Sequence, residues 1–256
     1  MKKNFLVGAA IGFAALFLFS GVMLCRLFWD AKSSARTFDE VAELVASEPQ
    51  PPAQAPEAEE EPQPLSAFET YAEVYEKNAD FVGWLSIEGT RIDYPVMQTK
   101  ERPDYYLKKN FQKQYSDYGV PYAAENCDID LSDNTVLYGH HMNDGSMFSD
   151  LCRYESEDFY REHQFIRFDT LGGYGRYEVV ASFKTAAYSE DGFKYYRFIQ
   201  AADAAEFDDF ISQCKVLSLY DTGVSTEYGE KLLTLSTCEY SRPNGRMVVV
   251  AKKIAE

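Results

Sequence analysis

Cys238 closes an apolar, β-prone run, Leu233-Thr234-Leu235-Ser236-Thr237-Cys238, and eight residues later Arg246 opens a second, continuing Met247-Val248-Val249-Val250. A thiol at a strand end beside a fixed guanidinium has the makings of a nucleophile, because a neighbouring positive charge favours the thiolate that attacks carbon. By themselves the same residues also read as a packed strand cysteine followed by an unrelated surface arginine, since free cysteine is among the most buried residue types. Nucleophilic thiols are activated by an adjacent imidazole or a lowered pKa, and the chain has only three histidines, His140, His141 and His163. His140 follows Asn134-Thr135-Val136-Leu137-Tyr138-Gly139, so it lies just past a strand end, where a side chain overhangs a cleft. Adjacent residues in extended chain point to opposite faces, so only one of His140 and His141 meets Cys238, and these residue types do not choose between them. His163, between Glu162 and Gln164, reads as a solvated or helix-end residue.

The path between Cys238 and Arg246 decides whether they share a site. A tight Asn244-Gly245 hairpin would place Cys238 opposite residue 251 and separate it from Arg246 by roughly 17 Å at about 3.4 Å per residue. If the strand instead ends at Cys238 and Glu239 to Gly245 form an open loop, the two stand side by side at neighbouring strand ends. Pro243 cannot donate to a ladder and favours the loop. Glu239 is then expected to point away from the thiol, which its negative charge would otherwise hold protonated.

The elements that must position these residues are mostly strands. β-prone stretches fall at Gly83–Ile87, Thr90–Val96, Asn134–Tyr138, Phe165–Phe168, Arg176–Thr185, Lys231–Thr237 and Arg246–Lys252, punctuated by Gly, Pro, Asn and Asp. Seven or eight strands with few long helices predict a mainly β fold, a closed β-barrel. Ser66-Ala67-Phe68-Glu69 has capping-box spacing, and Phe68, Tyr71, Ala72 and Tyr75 then repeat at helical intervals, so a short amphipathic helix opens the domain. A longer helix is expected around Ala201–Cys214, with Phe207, Phe210, Ile211 and Cys214 on its inner face.

Ahead of the barrel, Phe5–Cys25 is an uncharged run of 21 residues bounded by Lys2, Lys3 and Arg26, about 30 Å long as a helix and enough to span a bilayer core. It lacks an Ala-x-Ala exit and reads as a retained single-pass anchor rather than a cleaved signal peptide. The chain is thus expected to comprise an anchor with a short cytoplasmic end (residues 1–30), an acidic Pro-rich extracytoplasmic linker (31–65) and one catalytic domain (66–256). Eleven of the net sixteen negative charges lie between Arg36 and Lys77, so the acidity belongs mainly to the tether and offers no basic face for nucleic acid. Six of the ten prolines fall within Ser47–Pro64, a composition that stays extended and cannot bury a core. Five scattered cysteines fit neither a CxxC metal site nor a dense disulfide frame, and no metal or organic cofactor is implied.

Thr234-Leu235-Ser236-Thr237-Cys238 with Arg246 resembles the TLxTC motif and partner arginine of sortases, the membrane-anchored cysteine transpeptidases of Gram-positive bacteria. Tyr138-Gly139-His140 with Met142, Gly145, Met147 and Phe148 is similar to the class B pattern YGHNMxxGxMF, as are Gly83-Trp84-Leu85, Ile92-Asp93-Tyr94-Pro95-Val96 and Tyr105-Tyr106-Leu107. The resemblance covers Phe68 to Lys252 and implies a sortase-type eight-stranded barrel, with His140, Cys238 and Arg246 catalytic and Ser236 and Thr237 beside the substrate. It further implies secreted protein substrates with LPxTG-like sorting signals (NPxTx or xPxTG), cleaved after Thr through a thioester, and an amine acceptor on a peptidoglycan precursor or a pilin. His141 stands where the family usually has Asn, and Ala123-Ala124 stand where it often has an acidic residue.

Other cysteine transpeptidases and hydrolases of peptidoglycan fit poorly. L,D-transpeptidases set Gly immediately before the cysteine and Arg two residues after it, where this chain has Thr237 and Tyr240, and papain-like and NlpC/P60-like enzymes run Cys before His. A non-catalytic surface module with a buried cysteine is the alternative of a different class.

Overall fold

The computed structural model describes residues 2–45, 65–187, 190 and 192–255. Helix α1 (Lys2–Val45) opens the chain, and its segment Gly12–Val45, with a mean hydropathy of 1.8 in its most apolar window, is long and apolar enough to cross a membrane. The helix does not stop where the apolar run ends. Phe38, Val41, Ala42 and Val45 recur at i, i+3, i+4 and i+7 and turn one stripe of its last turns onto the folded domain. Phe38 meets Tyr94 edge to face at 5.0 Å between ring centroids, Val41 is buried, and the Ser34 and Ser116 hydroxyls lie 3.1 Å apart. Residues 31–45 of the linker expected over residues 31–65 are therefore packed helix, because their apolar period outweighs their acidity. The proline-rich remainder, residues 46–64, lies outside the described residues.

Helix α2 (Ala67–Lys77) begins at Ser66 with both bonds of a capping box: Ser66 Oγ accepts from Glu69 N, and Glu69 Oε2 accepts from Ser66 N at 2.9 Å. Eight strands follow: β1 (Phe81–Ser86), β2 (Asp93–Met97), β3 (Tyr122–Ala123), β4 (Asn134–Tyr138), β5 (Phe165–Thr170), β6 (Arg176–Ala186), β7 (Leu232–Cys238) and β8 (Gly245–Ile254). They close into a barrel in the order β1-β2-β3-β4-β7-β8-β6-β5, the eight-stranded architecture expected. Pairs β2/β3 and β4/β7 are parallel and the others antiparallel.

Strands β7 and β8 read as near-continuous apolar runs because both of their faces are covered. Leu233, Leu235, Met247, Val249 and Ala251 fill the barrel interior. Leu232, Val248 and Val250 face outward onto Phe207, Phe210 and Cys214 of α4 (Ala204–Leu217), the longer helix anticipated before the cysteine strand. Asp203 caps it, its side chain accepting from Glu206 N at 3.0 Å. The short α3 (Glu157–Glu162) ends at His163, whose ring stacks on Phe159.

Candidate active site

The parallel pairing of β4 and β7 sets Tyr138 level with Ser236. Two bonds then tie the ends of these strands together: Gly139 N donates to Ser236 O at 3.2 Å, and Thr237 Oγ1 donates to Gly139 O at 2.8 Å. The phenyl ring of Phe148 occupies the space a Cβ on Gly139 would need, and Phe148 N donates to His140 O at 2.8 Å. His140 is therefore delivered past the end of β4 by a turn folded tightly upon itself.

On the other flank of β7, Cys238 stands directly opposite Arg246 in the β7/β8 ladder. Glu239 N donates to Gly245 O at 2.9 Å, so the loop between the strands is open, as the spacing argument required, and only its last residue, Gly245, joins β8. A Cβ on Gly245 would strike Glu239 O, and Asn244 adopts a left-handed φ of 55° to turn the chain. Glu239 itself bonds Ser241 N at 3.0 Å and lies 3.6 Å from Lys184 Nζ. Burial raises its pKa, but the Ser241 bonds and the Lys184 charge prevail and hold it below the usual carboxylate range.

Cys238, Arg246 and His140 line one cleft of about 330 Å³, together with Ser236, Thr237 and Tyr195. The alternation expected of adjacent residues is present, since His140 lines this cleft and His141 does not. His140 Nε2 is 2.7 Å from the Leu107 carbonyl oxygen. A carbonyl only accepts, so Nε2 carries the hydrogen and Nδ1 of the neutral ring holds the lone pair. Burial lowers the His140 pKa below its ordinary value, with Lys108 acting in the same sense and the Leu107 bond and Asp117 against it. Arg246 Nη1 donates to Gly245 O at 2.9 Å, which orients the guanidinium at the start of β8. Ser236 and Thr237 form the floor of the cleft with buried side chains, Ser236 Oγ sharing a 2.6 Å hydrogen bond with Tyr195 OH.

Two contributors carried no sequence signal as site residues. The Leu107 carbonyl is backbone, and Tyr195 is one of many tyrosines in an aromatic chain. A larger groove of about 1050 Å³ lies beyond the β7–β8 loop against α4. Neither a cysteine nor a histidine lines it, so the chemistry is assigned to the smaller cleft.

A closed mixed barrel with an imidazole just past the end of one of two parallel strands, a thiol at the end of the other, and a guanidinium opposite the thiol on the adjoining antiparallel strand, defines a cysteine acyl-transfer scaffold. Comparison with known proteins narrows this. The sortase domain model matches residues 85–254. The chain is 35% identical over 182 residues to sortase B of Listeria monocytogenes, spanning 70% of this chain and 72% of that one, and 34% identical over 180 residues to sortase B of Staphylococcus aureus, spanning 69% and 71%. A solved Staphylococcus aureus sortase B–substrate complex superimposes with a TM-score of 0.75 at 27% identity, covering 88% of this chain and 98% of that one. The chain belongs to the sortase family of cysteine transpeptidases, in its B class.

Proposed function

We propose that this transpeptidase cleaves a C-terminal sorting signal of the LPxTG kind (NPxTx or xPxTG) after its threonine and transfers the new carboxyl end to an amine of a peptidoglycan precursor or a pilin. The observation that carries the reading is the convergence of Cys238, Arg246 and His140 on one cleft. His140 takes the Cys238 thiol proton at Nδ1, the resulting thiolate attacks the threonyl carbonyl carbon, and the developing oxyanion is met by Arg246. The carbon–nitrogen bond then breaks, His140 gives its Nδ1 proton to the departing amine, and a thioester remains. The acceptor amine attacks that thioester, passes a proton back to His140 and releases the thiolate. Ser236 and Thr237, whose hydroxyls hold Tyr195 and Gly139, lie along the substrate and keep the cleft floor rigid.

The apolar part of α1 serves as the anchor, with the barrel on the extracytoplasmic side, within reach of secreted proteins that emerge from the same membrane. A panel of fluorogenic pentapeptides of the NPxTx and xPxTG kinds tests the specificity. Cleavage confined to one kind identifies the signal, and no cleavage of any would overturn the proposal.

A further inference from the structure

His141 sits where sortases of class B usually have Asn, and it lies outside the cleft. The β4/β7 ladder shows what it does. In this parallel pair the Ser236 carbonyl accepts from Gly139 N at 3.2 Å. Every second carbonyl of a strand faces the same neighbour, so the next one aimed at β4 belongs to Cys238. The backbone of β4 has departed by then, drawn into the turn that His140 O closes with Phe148 N and that brings His141 alongside Met147.

The empty rung is filled by a side chain: His141 Nδ1 lies 3.0 Å from the Cys238 carbonyl oxygen. That oxygen can only accept, so Nδ1 carries the hydrogen. Cys152 Sγ stands 3.3 Å from the same Nδ1 and 3.8 Å from the same oxygen. Burial, foremost, pushes the Cys152 thiol up to about 11, so it stays an S–H and a weak second donor. Tyr240, two residues beyond Cys238, completes the clasp: its hydroxyl donates to His141 O at 3.1 Å, and its ring centroid is 5.2 Å from the imidazole.

From this geometry we infer that His141 is a positioning residue for the transfer reaction, acting as the last rung of the β4/β7 ladder to fix the peptide plane that follows Cys238 and so the bearing of its thiol on Arg246 and His140. The role rests on Cys238 being the nucleophile. Nδ2 of an asparagine branches from the γ carbon as Nδ1 of histidine does, so Asn at 141 supplies the same donor, whereas Leu keeps apolar bulk and supplies none.

The test is rapid-quench acylation of the full chain in detergent micelles by a cleavable sorting-signal peptide, comparing wild type with His141→Leu and His141→Asn. Wild type forms the Cys238 thioester. His141→Leu is expected to acylate roughly 10- to 100-fold more slowly, the scale of a reacting group misplaced by about 1 Å, with peptide KM nearly unchanged, and His141→Asn to recover most of the rate. In wild type and His141→Asn, but not His141→Leu, the ¹³C resonance of the labelled Cys238 carbonyl should report a hydrogen-bonded oxygen. If His141→Leu acylates like wild type, or His141→Asn does no better than His141→Leu, the positioning role is overturned while the sortase chemistry stands. If wild type forms no thioester on Cys238, the nucleophile assignment falls and this role with it. Should His141→Leu fail to fold, Tyr240→Phe loosens the same clasp from the other side and is expected to slow acylation without changing KM.

Discussion

In the neutral ring of His140, Nε2–H is committed to the Leu107 carbonyl, so the proton transfer proposed for His140 runs through Nδ1. Burial, foremost, lowers the His140 pKa, and nearby charges adjust it: Lys108, paired with Asp117 at 2.9 Å, lowers it further and Asp117 raises it. Asp117→Asn removes the raising partner and leaves Lys108 uncompensated, so the His140 midpoint should fall further on NMR titration; a rise would contradict this electrostatic account. The same depression has a stability signature. Well above pH 6.5, the ordinary value for histidine, His140 is neutral in folded and unfolded chain alike and contributes no pH dependence. As pH falls from 6.5 toward the lower folded value, the unfolded chain binds more protons and stability declines; below the folded value the loss is constant. His140→Gln should remove that part of the acid sensitivity, read from urea unfolding as a function of pH. Arg246→Ala should lower kcat roughly 10²- to 10³-fold with little change in KM, the mark of an oxyanion donor. A change confined to KM would instead make Arg246 a ground-state binding residue. At this scale the sequence was informative where spacing and a backbone rule met, as when Pro243 argued for the open loop that sets Cys238 against Arg246. Leu107 stood in a stretch similar to the class B pattern, but its contribution to the site is a carbonyl that every residue possesses, so no side-chain signal marked that role.

The elements translate these positions into fixed geometry, most tightly at Gly139. Any Cβ there meets the Phe148 ring, so Gly139→Ala must shift either that buried ring or the end of β4 that carries His140. Activity should fall and the melting temperature drop together, whereas an active, equally stable Gly139→Ala would show that the turn has slack. Seven strands announced themselves through runs of β-branched and aromatic residues bounded by turn formers. The eighth, Tyr122–Ala123, is two residues long, too short for any period to register, and it is defined only by the neighbours it bridges, Met97 and Tyr138. Helix α4 was visible from its Phe207, Phe210, Ile211 and Cys214 stripe, though it starts three residues later than expected, at the Asp203 cap. The 3₁₀ turn Ser149–Glu155, which brings Cys152 under His141, has no comparable pattern and surfaced only in three dimensions.

For the molecule as a whole, the docking of α1 joins the membrane-length segment to the barrel. Composition concealed this, because an acidic, proline-rich average over residues 31–65 masked the apolar stripe at Phe38, Val41, Ala42 and Val45. Burial of Val41 and part of Phe38 is worth about 3 kcal/mol, and each kcal/mol moves the melting temperature by about 2–4 °C at this size. Removing residues 2–45 should therefore lower it by roughly 6–12 °C; an unchanged value would mean that the helix merely rests on the domain. The central claim nevertheless concerns one sulfur atom, and intact-mass spectrometry of the full chain incubated with a sorting-signal peptide addresses it directly. The account predicts a mass gain equal to the peptide fragment ending at its threonine, mapped to Cys238, discharged by hydroxylamine and absent in Cys238→Ala. An unmodified chain, or the same adduct persisting in Cys238→Ala, would contradict it.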